Sequence, residues 1–190
     1  AQKSSSAKDY VLQLFKKRDL VVIAERAHPE TLQWDWIYEI VSDPRFLAQS
    51  GVVFSEYFST PHQSLLDRYL LANRGDEEAM RLELLRNVNF WPAWLNRNLS
   101  DFLRRVRRLN SSLSKKEKLR VIGSDVPFSW RSYDRFENEE GLALQKARFG
   151  NFIQWARKNR DQAIAQQIVE KWKAMGQPKA LVILNTYHGY

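Results

Sequence analysis

The chain has 190 residues, 44% of them hydrophobic and 13% aromatic, which is enough apolar side chain to fill one core and too much for a disordered segment. It has no cysteine, so a disulfide framework, a thiolate metal site and a cysteine nucleophile are excluded. The formal charge of +8 is concentrated: residues 81–120 hold eleven Lys and Arg against Glu83, Asp101 and Glu117, which accounts for the whole excess.

Residues 2–8 alternate Lys, Ser and Ala without an apolar period, and residues 1–9 are expected to form a flexible leading segment. An Ala-Gln start before a Ser-rich stretch suits the mature end left by signal-peptide cleavage. A periplasmic or secreted location is therefore expected, with the cytoplasm as the alternative. Four short apolar runs, at 20–24, 52–55, 119–122 and 180–184, are continuous rather than alternating, as suits strands covered on both faces of a parallel sheet.

Helical patterns separate these runs. The first opens at His28-Pro29, with Pro at the first helical position, and stops at Asp43-Pro44; its expected buried stripe is Leu32, Trp36, Ile37, Ile40 and Val41. After the second run come patterns at 62–72, 76–88 and about 92–109, a long helical insertion. In the last of these Leu99, Phe102, Leu103, Val106 and Leu109 share one face, which turns Arg104, Arg105, Arg107 and Arg108 to the other. A solvated helix face explains that arrangement. A nucleic-acid surface, with Phe90, Trp91 and Trp94 as stacking platforms, is the sharper and less favoured reading. Residues 131–141 read as a surface loop, and the last crossover helix spans 161–175 with Ile164, Ile168 and Trp172 at intervals of four and Gly176 as its cap.

Strands alternating with helices imply βαβ units, and no Pro/Gly/Ser linker divides the chain, so a single α/β domain over residues 1–190 with a mainly parallel sheet is expected. The final run, which should be buried, lies close to Tyr190. A buried parallel strand needs a helix to cover it, so the natural chain is expected to continue. No run approaches the ~18 apolar residues of a membrane span, and no integral membrane segment is expected.

In parallel sheets ligands bind beyond the carboxyl ends of the strands. There this chain places Glu25, Arg26 and His28 after the first run, Glu56 and His62 after the second, Ser124 and Asp125 after the third, and Asn185, Tyr187 and His188 after the fourth. All three histidines fall in these segments. Singly, each acid reads as a cap or an ion-pair partner, and His62 as an ordinary loop residue. Together, Glu25, His28, Glu56 and His188 suit proton transfer: a histidine can take a proton from water while a carboxylate orients its ring. The same four could ligate a divalent metal, and the residue types do not separate these cases. No G-x-S-x-G elbow is present to supply a serine nucleophile.

The strand leading into Glu25-Arg26-Ala27-His28 resembles the G-E-x-x-H opening of the erythromycin esterase family and of the related ChaN-like lipoproteins, with Ala24 in place of Gly. Glu56 lies where that family carries its next acid, the segment from Arg160-Asp161 to Ala165 resembles its R-D-x-x-M-A helix start, and the run before His188 resembles its closing strand, although Asn185-Thr186-Tyr187-His188 replaces a paired-histidine form. The resemblance implies a hydrolase of an ester or related acyl bond in a small-molecule substrate. His28 would activate water, helped by Glu25 and Glu56 and completed by His188, with Arg26, Asp125 and Tyr187 as substrate-binding residues and no required metal. ChaN-like relatives imply haem or metal binding without turnover, with Tyr187 as a haem contact; the more distant Tiki and TraB group implies metal-dependent proteolysis.

Overall fold

A computed structural model describes residues 6–72, 75–87, 89, 96–133 and 138–188. Phe90, Trp91, Trp94 and the expected helix start at 92–95 lie outside them. The elements in chain order are α1 (Ala7–Leu14), β1 (Leu20–Glu25), α2 (Thr31–Val41), α3 (Pro44–Gln49), β2 (Val52–Ser59), α4 (Gln63–Leu71), α5 (Glu77–Asn87), α6 (Arg97–Ser112), β3 (Arg120–Asp125), α7 (Glu139–Ala174) and β4 (Ala180–Asn185). The four strands form a wholly parallel sheet in the order β1-β4-β2-β3, so the α/β class and the four expected strands are observed.

Three expectations need correction. Helix α1 begins at Ala7, inside the stretch expected to be flexible, because the Ser6 hydroxyl accepts the Asp9 N–H and the helix buries Val11 and Leu12. Helix α2 starts at Thr31 rather than at His28-Pro29. The backbone before it is held as a turn: the Ala27 carbonyl accepts from the Gln33 amide at 3.0 Å and the His28 carbonyl from Trp34 Nε1 at 3.2 Å. That shift puts Trp34, Ile37, Ile40 and Val41 inward and leaves Leu32, two residues and about 200° from Trp34, 79% exposed. Helix α7 runs for 36 residues from an Asn138 cap, well before the expected start at 161 and through the end of the expected loop. At 1.5 Å per residue it is about 54 Å long, against about 20 Å for a six-residue strand. Only its second half covers the sheet, through Ile164 and Ile168. Its first half carries Phe149 and Phe152 to an aromatic cluster with Phe128, Trp130 and Tyr133. It ends as expected at Gly176, which takes φ +80° and donates to the Lys173 carbonyl.

The larger core lies on the other face of the sheet, where Val21, Val53, Leu181 and Ile183 meet α1, α2, α4 and α6. Leu99, Phe102, Leu103 and Val106 of α6 are buried as the periodicity requires. The arginines opposite are largely neutralised, Arg105 by Asp35 at 2.5 Å, Arg104 by Glu78 at 3.4 Å and Arg107 by Glu77 at 3.7 Å. The outer edge of β3 is closed by side chains. The Gln63 amide donates to the Val121 carbonyl and accepts from Gly123 N–H, both at 2.9 Å, while Lys171 Nζ donates to the Gly123 carbonyl at 2.6 Å. These contacts occupy backbone groups that would otherwise template another strand.

Strand β2 loses register against β3: Ser55 faces Gly123, yet Ser59, four residues on, faces Asp125. The two extra residues form a bulge that re-aims Glu56 and Tyr57 and presses the Phe58 carbonyl onto Gly123, where an added Cβ would lie 2.7 Å from it. Gly123→Ala is therefore expected to destabilise the domain by about 1–3 kcal/mol. A urea midpoint equal to that of the parent would show that the bulge gives way freely.

Candidate functional site

The strand order sets the site. β4 lies between β1 and β2, so the segments leaving β1 and β4 are neighbours, with Glu25 in register with Asn185, and the bulged end of β2 adjoins them. A depression of about 430 Å³ opens there, lined by Arg26, Ala27, His28, Asn185, Tyr187 and His188.

The first half of the site is a histidine on a buried carboxylate. His28 Nδ1 lies 2.7 Å from Glu25 Oε1, and the Tyr57 hydroxyl donates to the same oxygen from 3.3 Å, reaching across β4. Because a carboxylate only accepts, this contact puts the imidazole proton on Nδ1 and the lone pair of the neutral ring on Nε2. The His28 carbonyl is held by Trp34 Nε1 and, at 3.1 Å, by the Asn96 amide, so backbone and ring are both fixed. Burial pushes the Tyr57 phenol far above its usual range, helped by the neighbouring Glu25, and it stays a donor. Since α2 starts at Thr31, His28 lies in the turn ahead of it and outside its first turn.

The second half is a buried charge cluster. Arg160 grips Asp125 with two hydrogen bonds, Nε to Oδ1 at 2.9 Å and Nη2 to Oδ2 at 3.1 Å, and places Nη2 3.7 Å from Glu56 Oε2. Its Nη1 lies 2.6 Å from His188 Nε2, while His188 Nδ1 meets Asp161 Oδ1 at 2.6 Å. The guanidinium can only donate, so His188 in this state is neutral, with Nδ1–H donating to Asp161 and Nε2 accepting from Arg160. Glu56 Oε1 accepts the Asn185 N–H at 2.7 Å, whereas Oε2 has no hydrogen-bond partner among the described residues, as is also true of Glu25 Oε2. Burial raises the Glu56 carboxyl above the usual range in spite of the Arg160 guanidinium nearby.

The expected residues thus gather, though not in the expected roles. Asp125 is fully buried beneath Arg160, takes a further bond from the Asn89 amide at 2.5 Å, and positions the cluster without reaching the depression. Arg26 sits on the rim, its side chain 82% exposed and 3.7 Å from Glu30. Tyr187, 87% exposed, forms the opposite rim. The four metal-ligand candidates divide into the pairs Glu25–His28 and Glu56–His188, and among the described residues no group of three or more His, Asp or Glu is arranged to hold an ion. As placed, these two pairs do not form a metal centre.

No family model and no curated protein matches the chain. A solved structure is similar in fold, that of the type III effector HopBA1, with a TM-score of 0.58 and 14% identity over 94% of this chain and 71% of that one. At this identity the likeness concerns the fold alone.

Four members of the site were not singled out for it. Tyr57 and Asn89 offered no pattern. Arg160 did: with Ala156, Ile164 and Ile168 it occupies one buried stripe at intervals of four, and a cation on an apolar stripe calls for a buried acid opposite. Asp161 follows from it as the neighbour that orients His188.

His62 stands apart. It is 7% exposed at the end of β2, hydrogen-bonded to the backbone of Phe128, and its Nε2 is buried with no hydrogen-bond partner among the described residues. Burial lowers its pKa below the ordinary 6.5. The folded state therefore binds this proton less readily than the unfolded chain, so the stability contributed by neutral His62 is full above pH 6.5 and is lost as pH falls from there toward the lowered value. His62→Gln is expected to flatten the fall in urea midpoint between neutral and mildly acid pH. An unchanged slope would assign that fall to other groups.

Proposed function

We propose that this domain hydrolyses an ester or related acyl bond, with His28 as the general base. The observation that supports this reading most is the Glu25–His28 pair, at 2.7 Å, on the wall of a depression whose other wall carries His188 and Asn185. A water held in the depression loses its proton to His28 Nε2 as its oxygen bonds to the acyl carbon. The imidazolium that forms is stabilised through Nδ1–H by the buried Glu25 carboxylate. The charge on the carbonyl oxygen is met from the rim by Arg26. Collapse breaks the bond to the leaving alkoxide, which takes the proton back from His28, so water and ester give acid and alcohol without any other reactant. Arg160, Asp125 and Glu56 hold His188 and the β4 end in place.

The test is hydrolysis of a panel of aryl esters and macrolide lactones by the protein and by His28→Gln, with and without a chelator. Turnover that disappears in the variant supports the reading. Loss on chelation would replace it with a metal-assisted one, and no turnover of any panel member by either protein would reject it.

A further inference from the structure

In a wholly parallel sheet every strand begins at the same edge, and here that edge is cationic. Lys16, Lys17 and Arg18 precede β1; Lys115, Lys116 and Arg120 surround the start of β3, at the far end of the sheet order. With strands about 4.8 Å apart, the two groups are separated by about 15 Å of backbone. All six side chains are exposed, and none makes an ion pair among the described residues. Between them Lys179, ahead of β4, is bound to Asp19 at 3.5 Å and to the Phe15 carbonyl at 2.5 Å. Asp19 and Glu117 are the acids of these segments, and Glu117 accepts from Ser114 Oγ at 2.6 Å. The arrangement contrasts with α6, whose arginines are largely paired, and with the opposite edge of the sheet, where Glu25, Glu56 and Asp125 lie buried.

A second feature accompanies the charge. A recess of about 740 Å³ opens beside the β3 group, lined by Leu71, Ala72 and Leu113 and ringed by Lys115, Lys116, Lys118 and Arg120. Phosphates of a nucleic acid would leave such an apolar floor unfilled. A phospholipid brings a charged headgroup and an apolar glycerol and acyl region together, and long lysine side chains can cover the apolar part while their ammonium groups reach phosphate.

We propose that the edge at which the strands begin docks the domain onto a bilayer rich in acidic phospholipid, with the catalytic edge turned to the aqueous side. This attachment is peripheral: no helix among the described residues is long and apolar enough to cross a membrane. Each cation brought to such a surface is worth about fivefold in partitioning, so removing three lowers it on the order of 100-fold.

The experiment is co-sedimentation of the full chain with vesicles of phosphatidylcholine alone or with phosphatidylserine added, at low and high salt, for the parent and for the triple variants K16Q/K17Q/R18Q and K115Q/K116Q/R120Q. All six positions are exposed, so both variants are expected to fold, as circular dichroism checks. The expected result is binding to the acidic vesicles that weakens with salt and falls on the order of 100-fold in each variant. Equal binding to both vesicle types, no binding at low salt, or loss in neither variant overturns the proposal. So does duplex DNA or RNA that displaces the protein from vesicles at equal phosphate. Ester turnover is read separately, and its absence would not touch this result.

Discussion

Replacing Arg160 by methionine is expected to cost about 3–5 kcal/mol of folding stability, the largest single effect in this molecule. The side chain is nine-tenths buried and is the cation that faces two buried carboxylates, bonded twice to Asp125 and 3.7 Å from Glu56. Methionine fills much of the volume yet leaves both acids in a dry interior without a positive partner, and they must then bind protons or unfold the β2 and β3 ends. Lysine is a poor substitute, since one ammonium cannot reproduce the paired contact with Asp125. Urea unfolding at neutral pH reads the loss, and adding Asp125→Asn to Arg160→Met should restore part of it, because the stranded charge is then gone. A loss below about 1 kcal/mol would mean that water reaches the cluster and that the charges are not buried as described.

The second large effect is kinetic. His28→Gln keeps a polar group at the position but removes the proton acceptor, and under the hydrolase reading kcat should fall about 10²- to 10⁴-fold. His28 is bonded to one carboxylate and lies at the surface of the depression, so its loss should cost far less stability than that of Arg160. The two variants therefore separate: one loses rate with fold retained, the other loses fold. Full turnover in His28→Gln would reject the general-base role of His28.

The strands were legible because their middles are unbroken runs of branched apolar residues. Their ends were not, and for one reason. Glu25, Glu56, Asp125 and Asn185 all lie within strands, where a polar residue looks like the start of a loop. The site itself extends the strands past the apolar signal. Helix α7 was half seen: from Ile164 onward it has an apolar stripe, whereas it opens on Glu139, Glu140 and Gly141, and the Leu144 that follows is exposed. The pairing of His28 with Glu25 could be expected from their spacing across a turn. The pairing of Arg160 with Asp125 could not, since 35 residues separate them and the stripe that carries Arg160 was read only from Ile164. Asp125 was accordingly assigned to substrate, when its partner is the arginine that holds the second half of the site.

The position of β4 has a consequence for how the protein is made. It is the last in chain order of the four described strands and one of the two central strands of the sheet, and it is the neighbour to which β1 is paired. On the ribosome, β2 and β3 can pair while residues 180–185 are still being synthesised, but β1 must wait. Glu56 has no Asn185 N–H to accept, and Glu25 no Asn185 in register beside it, until β4 threads between. The strand-end cluster therefore cannot form until residues 180–185 have joined the sheet, and a chain lacking them would expose two apolar strand edges at once, a substrate for chaperones or for aggregation.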